Sequence, residues 1–125
     1  MKLYFFYIIS NISAYNLPPI NSIYNKNINI PFVGSQLIET KMISNNKAKI
    51  KLSGIVNTNG LAFYYLKNNE INIKLSKDLE KLLNDLSCEF SEPNYNKKKD
   101  QVSFNIYIKK IYFNKKIILN KNNFK

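Results

Sequence analysis

Residues 47–56, Lys47-Ala48-Lys49-Ile50-Lys51-Leu52-Ser53-Gly54-Ile55-Val56, decide the fold class. Ala48, Ile50, Leu52, Gly54 and Val56 alternate with Lys47, Lys49, Lys51, Ser53 and Ile55. That period of two gives an extended strand one face in a core and one in water. Similar segments lie on either side. Residues 36–43 precede it across Ser44-Asn45-Asn46, and residues 61–66 follow it across Asn57-Thr58-Asn59-Gly60. Ile71, Ile73 and Leu75 come after a further Asn68-Asn69. Asn and Gly accept the positive φ of tight hairpin turns, so these segments read as four antiparallel strands in meander order.

At Ser76 the period changes. Leu75, Leu79, Leu82, Leu83 and Leu86 fall on one stripe of a helix over 77–86, with Ser76 as N-cap and Asp78 and Glu80 in the first turn, where the helix dipole favours them. Lys77, Asp78, Lys81 and Asp85 make a solvated, self-compensated opposite face. Leu86, Cys88 and Phe90 then alternate as a strand that Pro93 should end or place at an edge. Residues 94–100 form a polar loop holding Lys97-Lys98-Lys99. Val102, Phe104, Ile106 and Ile108, then Ile111, Phe113, Ile117 and Leu119, mark two last strands. The expected fold is α+β, an antiparallel meander β-β-β-β-α-β-β-β forming a curled sheet or half-barrel packed on one amphipathic helix. Such a sheet encloses a cleft that suits small apolar ligands.

The chain of 125 residues fits one domain over residues 35–120, with 121–125 a frayed tail. Residues 16–34, rich in Asn and interrupted by Pro18, Pro19 and Pro31, show no sustained period and read as a linker or transit segment. Residues 1–15 have Lys2, a short apolar run from Leu3 to Ile9 and small and polar residues ending Ser13-Ala14-Tyr15, the layout of a signal-like segment. The same run also fits a β-strand. It is far short of the ~20 apolar residues that span a bilayer, so no transmembrane segment is expected. The first acid is Glu39, and an aromatic residue directly after Ala14 resembles the bipartite presequences that route proteins into plastids acquired from a red alga. That resemblance implies an organelle address, the plastid first, with a cytoplasmic or secreted location as the alternatives.

Asn, Lys and Ile make up 58 of the 125 residues, and every basic residue is Lys, a composition that AT-rich codons produce. The net charge of +11 is unevenly spread. Residues 35–96 carry 8 Lys against 7 acids, whereas residues 97–125 carry 9 Lys against 1. With no His and one Cys, protein-only zinc or iron–sulfur sites are excluded, and no cofactor is implied. Cys88, in phase with Leu86 and Phe90, reads as a buried structural thiol. A carboxylate pair could be drawn from Asp78, Glu80, Asp85, Glu89 and Glu92, but the helix acids fit capping and surface pairing. Gly34, Gly54 and Gly60 lack phosphate-loop spacing.

The expectation is therefore a small non-enzymatic binding or assembly module for a protein complex or a small apolar ligand. The alternative is nucleic-acid binding, to RNA or the ribosome, through the C-terminal hairpin. Lys97, Lys98, Lys99, Tyr107, Lys109, Lys110, Tyr112, Lys115 and Lys116 would form that surface for an anionic partner. The same lysines also fit a solubilising edge that blocks strand addition.

Overall fold

A computed structural model of the chain describes residues 17–68 and 70–121. Eight strands form one antiparallel sheet: β1 (Ile23–Ile30), β2 (Gly34–Ser44), β3 (Lys47–Gly54), β4 (Thr58–Lys67), β5 (Glu70–Leu75), β6 (Cys88–Asn96), β7 (Gln101–Ile108) and β8 (Phe113–Lys121). A helix, α1 (Lys77–Asp85), separates β5 from β6, and a 3-10 turn (Lys109–Ile111) separates β7 from β8. The strand order is β5-β4-β3-β2-β1-β8-β7-β6, so two meanders meet where β1 pairs with β8. The sheet curls into a nearly closed half-barrel, and its two free edges, β5 and β6, are joined by the helix. No helix among the described residues is long and apolar enough to cross a membrane.

The strand expected at 47–56 is β3, with Ala48 and Leu52 buried and Lys49 and Lys51 exposed. Its pairing with β2 sets Ile38 opposite Leu52 and Met42 opposite Ala48, and its pairing with β4 sets Ala48 opposite Ala62. Residues paired across a ladder share a face, so these buried residues fix the inside of the barrel. Val102, Ile106, Ile117 and Leu119 supply the inner face of the other half. At Gly54 a Cβ would lie 2.6 Å from the Ser35 carbonyl, and φ is +130°, so the sharp β2–β3 approach there needs glycine. Buried Gln36 secures the same corner by donating to the carbonyls of Ser53 and Val56 and accepting from the Val56 N–H.

The structure corrects the reading of residues 16–34 as a linker. Ile23–Ile30 is a full strand paired with β2 along its length, so the domain begins well before residue 35 and has eight strands, five of them before the helix. Tyr24 and Ile28 are buried there while Asn25, Asn27 and Asn29 take the other face. Lys26 shares the phase of Tyr24 and Ile28, which breaks the apolar alternation that would announce a strand. It is exposed, and the ladder to β8 ends at Asn25, immediately before it. Lys121, expected in the frayed tail, pairs with Tyr24 as the last residue of β8. The signal-like segment at 1–15 lies outside the described residues.

Two further local expectations change, and one is narrowed. Ser76 stands at the N-cap position, but its hydroxyl accepts the Leu61 N–H of β4 at 3.1 Å and makes no cap bond within the helix. Leu86 is exposed and outside the strand, and Ser87, at φ +53°, turns the chain so that β6 starts at Cys88. Of the two expectations for Pro93, the edge position holds and the strand end does not. The strand runs on to Asn96 as a sheet edge, with its register shifted between Ser91 and Asn94, where a missing N–H costs nothing.

Candidate functional site

Inside the curled sheet lies a cavity of about 150 Å³ to which both meanders contribute. Ile38, Ile50 and Ala62 line it from β2, β3 and β4, and Phe90, Phe104 and Leu119 line it from β6, β7 and β8. The room arises from side-chain size. The inward positions of β4 run Gly60, Ala62, Tyr64, so two small residues precede a large one. Leu79 of the helix fills the space at Gly60, where a Cβ would fall 2.7 Å from Leu79 Cδ2. Beyond that contact the small Ala62 leaves the chamber open. Phe90 and Phe104 pack with ring centroids 5.2 Å apart and form its opposite wall.

The apolar lining is broken by Thr40 and Tyr64, on the inner phase of β2 and β4, and by Ser91 and Ser103. No side-chain nitrogen or oxygen among the described residues is both buried and without a hydrogen-bond partner. Burial alone pushes the Tyr64 phenol up to about 12, so at neutral pH it is a protonated donor. Ser91, exposed beside the register shift of β6, marks where the chamber meets solvent. Sequence reasoning placed residues 61–66 in a strand without assigning its faces, and so missed Tyr64. The signal available was the alternation Gly60-Ala62-Tyr64 facing Ile50 and Ala48 of the securely read strand.

A second polar cluster sits at the β1–β8 junction. Asp100 Oδ1 accepts the Tyr24 hydroxyl at 2.5 Å and the Tyr95 hydroxyl at 2.7 Å, and Lys121 Nζ lies 3.2 Å from Oδ2. The two phenols lead in holding the Asp100 carboxyl below its usual range, with Lys121 adding to them. Desolvation, then the bond to Asp100, raises the Tyr24 and Tyr95 phenols in turn. Each group here is partnered, so the cluster is a structural clamp across three strands and their connecting turn.

The nine residues expected to form an anionic-partner surface do not form one patch. Lys97, Lys98 and Lys99 occupy the β6–β7 turn, and Lys109, Lys110 and Tyr112 the β7–β8 connection, one β7 length or about 25 Å away. Lys115 pairs with Ile106 and takes the inner phase, whereas Lys116 pairs with Asn105 and takes the outer one. Tyr107 shares the outer face and lies opposite Glu89. Tyr112 is off the strand, at φ +52° and 87% exposed. Glu89 is in turn ion-paired with Lys109 at 3.0 Å, and Glu92 accepts the Asn105 amide at 2.5 Å.

Cys88 is half-buried, and burial, with a smaller push from Glu89, raises its thiol to about 11. Among the described residues no three His, Cys, Asp or Glu side chains gather into a possible metal site. No protein family, curated protein or solved structure matches this chain.

Proposed function

We propose that this protein is a small non-enzymatic binding module whose ligand is a compact apolar molecule, one aromatic ring or a short aliphatic chain, carrying a single hydrogen-bonding group. The carrying observation is the interior cavity of about 150 Å³, lined by apolar side chains with Thr40, Tyr64, Ser91 and Ser103 among them. An apolar cavity of ~150 Å³ engineered into another protein takes up benzene, so the volume matches one ring and excludes drug-sized ligands. The Tyr64 phenol, at the cavity wall and protonated at neutral pH, is a donor that an acceptor on the ligand can meet. The non-enzymatic part rests on the titration of the groups at hand. The Tyr64 phenol and the Cys88 thiol both stay protonated at neutral pH, and neither serves there as a base or nucleophile. The helix, with Leu79 set against Gly60, acts in this reading as the packed cap of the chamber.

Titration of the full chain with phenol and with toluene, followed by NMR, tests the proposal. Both should bind saturably and shift the resonances of Ala62 and Phe104, with phenol favoured. Ala62→Leu should abolish both by filling the space. Tyr64→Phe should remove the phenol advantage, a loss of roughly fivefold to tenfold for one neutral hydrogen bond. Absence of saturable shifts for either compound would sink the reading. An organelle address belongs to the same proposal. A mature N-terminus near Tyr15 in protein from its own cells would support it, and an intact Met1 would remove it.

A further inference from the structure

We propose that the outer face of β2–β5 binds a single-stranded nucleic acid, at a site separate from the interior cavity and from the C-terminal lysines. Residues 35–96 are close to neutral in sum, but the fold places five of their seven acids away from the lysines of the sheet. Asp78, Glu80 and Asp85 go to the helix and Glu89 and Glu92 to the far edge strand β6, while Glu39 of β2 and Glu70 of β5 stay with the lysines, opposite Lys51 and Lys67 in register. Lys41 of β2, Lys47, Lys49 and Lys51 of β3 and Lys74 of β5 go to the outer face of the sheet, opposite in phase to buried Met42, Ala48 and Leu52 and to cavity-lining Ile73.

The arrangement is unfavourable to the fold itself. Lys41 lies directly opposite Lys49, and like charges so placed across a ladder are destabilising. The ion pairs among the described residues, Lys109–Glu89 and Lys121–Asp100, are both elsewhere. Lysines on a strand often guard an open edge, but β3 is internal, paired with β2 and β4, and has no edge to guard. Glu39, opposite Lys51, offsets part of this charge, and an anionic partner supplies the rest of the compensation.

The chemistry of that partner follows from spacing and from the aromatic residues. Lys47, Lys49 and Lys51 repeat every second residue on a rigid strand, ~6.8 Å apart. A single strand laid along β3 in extended form, its bases turned out of their own stack, meets about one lysine per phosphate at this spacing. Unstacked bases seek flat apolar partners, and the same face offers two. Phe63 stands between Lys47 and Lys74 in register, with Lys47 Nζ 5.5 Å from the ring centroid, and Tyr65 follows it on β4, 42% exposed. An anionic membrane would favour apolar side chains that project beyond the lysines, whereas here a lysine lies over the ring.

Fluorescence anisotropy of a labelled oligouridine of about twelve nucleotides, titrated with the full chain from about 50 to 300 mM salt, tests this. Binding should weaken steeply with salt. Lys41→Gln, Lys49→Gln and Lys51→Gln together should lower the log–log slope by about two units, at ~0.7 per phosphate contact. Tyr65→Ala should weaken binding roughly tenfold at every salt concentration and leave the slope unchanged. Glutamine at Lys97, Lys98 and Lys99 should alter neither. Three results would overturn the proposal: no anisotropy change at the lowest salt, a slope moved equally by the Lys97–Lys99 variant, or retention on phosphatidylserine vesicles without oligonucleotide binding.

Discussion

The half-barrel approaches closure at two places, and it uses different chemistry at each. At the β1–β8 junction two residue pairs, Tyr24 with Lys121 and Asn25 with Asn120, make the whole ladder, and the Asp100 cluster reinforces it with charge and hydrogen bonds. Between β5 and β6 no ladder exists. The helix lies there instead, in contact with β4 and β6, and buries Leu79 and Leu83. One closure is polar and directional, the other apolar and steric. They should therefore fail under different perturbations.

The largest effect is expected at the apolar closure. Leu79 is 1% exposed and belongs to the main core, so Leu79→Ala should cost about 2–5 kcal/mol in denaturant unfolding, the range for a truncated core leucine. Gly60→Ala attacks the same contact from the sheet side. The new methyl would lie 2.7 Å from Leu79 Cδ2 and 2.9 Å from its Cβ, and the strain should cost about 1–3 kcal/mol. Because both substitutions act on one contact, the double variant should be less destabilised than the sum of the singles. Simple additivity would mean that the helix does not seat on β4 as described.

The polar closure should respond to pH. Asp100 is held below its usual range in the folded protein, so its contribution is present above the unfolded value of ~4 and is lost as pH falls through the lowered folded value. Tyr24 and Tyr95 are raised, so theirs is present below ~10 and is lost as pH rises through the raised folded values. Asp100→Asn keeps a residue that tolerates φ +52° and removes the charge together with one acceptor oxygen. It should cost about 1 kcal/mol at pH 7, given the partial exposure of the carboxylate, and should flatten the acid limb of the stability–pH curve. Gly60→Ala should leave the shape of that curve unchanged.

The two closures were not equally legible in the sequence. The apolar one was visible in outline, since the leucine stripe from Leu75 to Leu83 and the Ser76 boundary mark the helix by local period alone. Hidden there was Gly60, which reads as a turn residue and acts as a site of close approach. The polar closure was invisible. Asp100 looked like the end of a lysine-rich loop, and its partner Tyr24 lies 76 residues away in a segment whose Asn and Pro content masks a strand. Pairing between chain ends leaves no local period. The cavity was in between: a curled sheet implied a cleft, but its position depends on which face Gly60, Ala62 and Tyr64 share, and only the register shows that. Summed charge misled for the same reason, because the near-neutral total for residues 35–96 sets five acids of the helix and β6 against lysines on the outer face of β2–β5.

The smallest effect separates the closures without unfolding either. Cys88 starts β6, next to the helix, and its thiol is raised to about 11, mainly by burial. At pH 8 little thiolate is present, so alkylation by iodoacetamide should run well below the rate of an unperturbed cysteine. Under native conditions the residual rate reports local opening of the region around α1 and β6. Leu79→Ala, which loosens that region, should raise it severalfold, whereas Asp100→Asn, acting at the opposite closure, should leave it at the parent value. Equal acceleration by both would show that the barrel opens as one cooperative unit, and the distinction between its two closures would then be one of chemistry without independent motion.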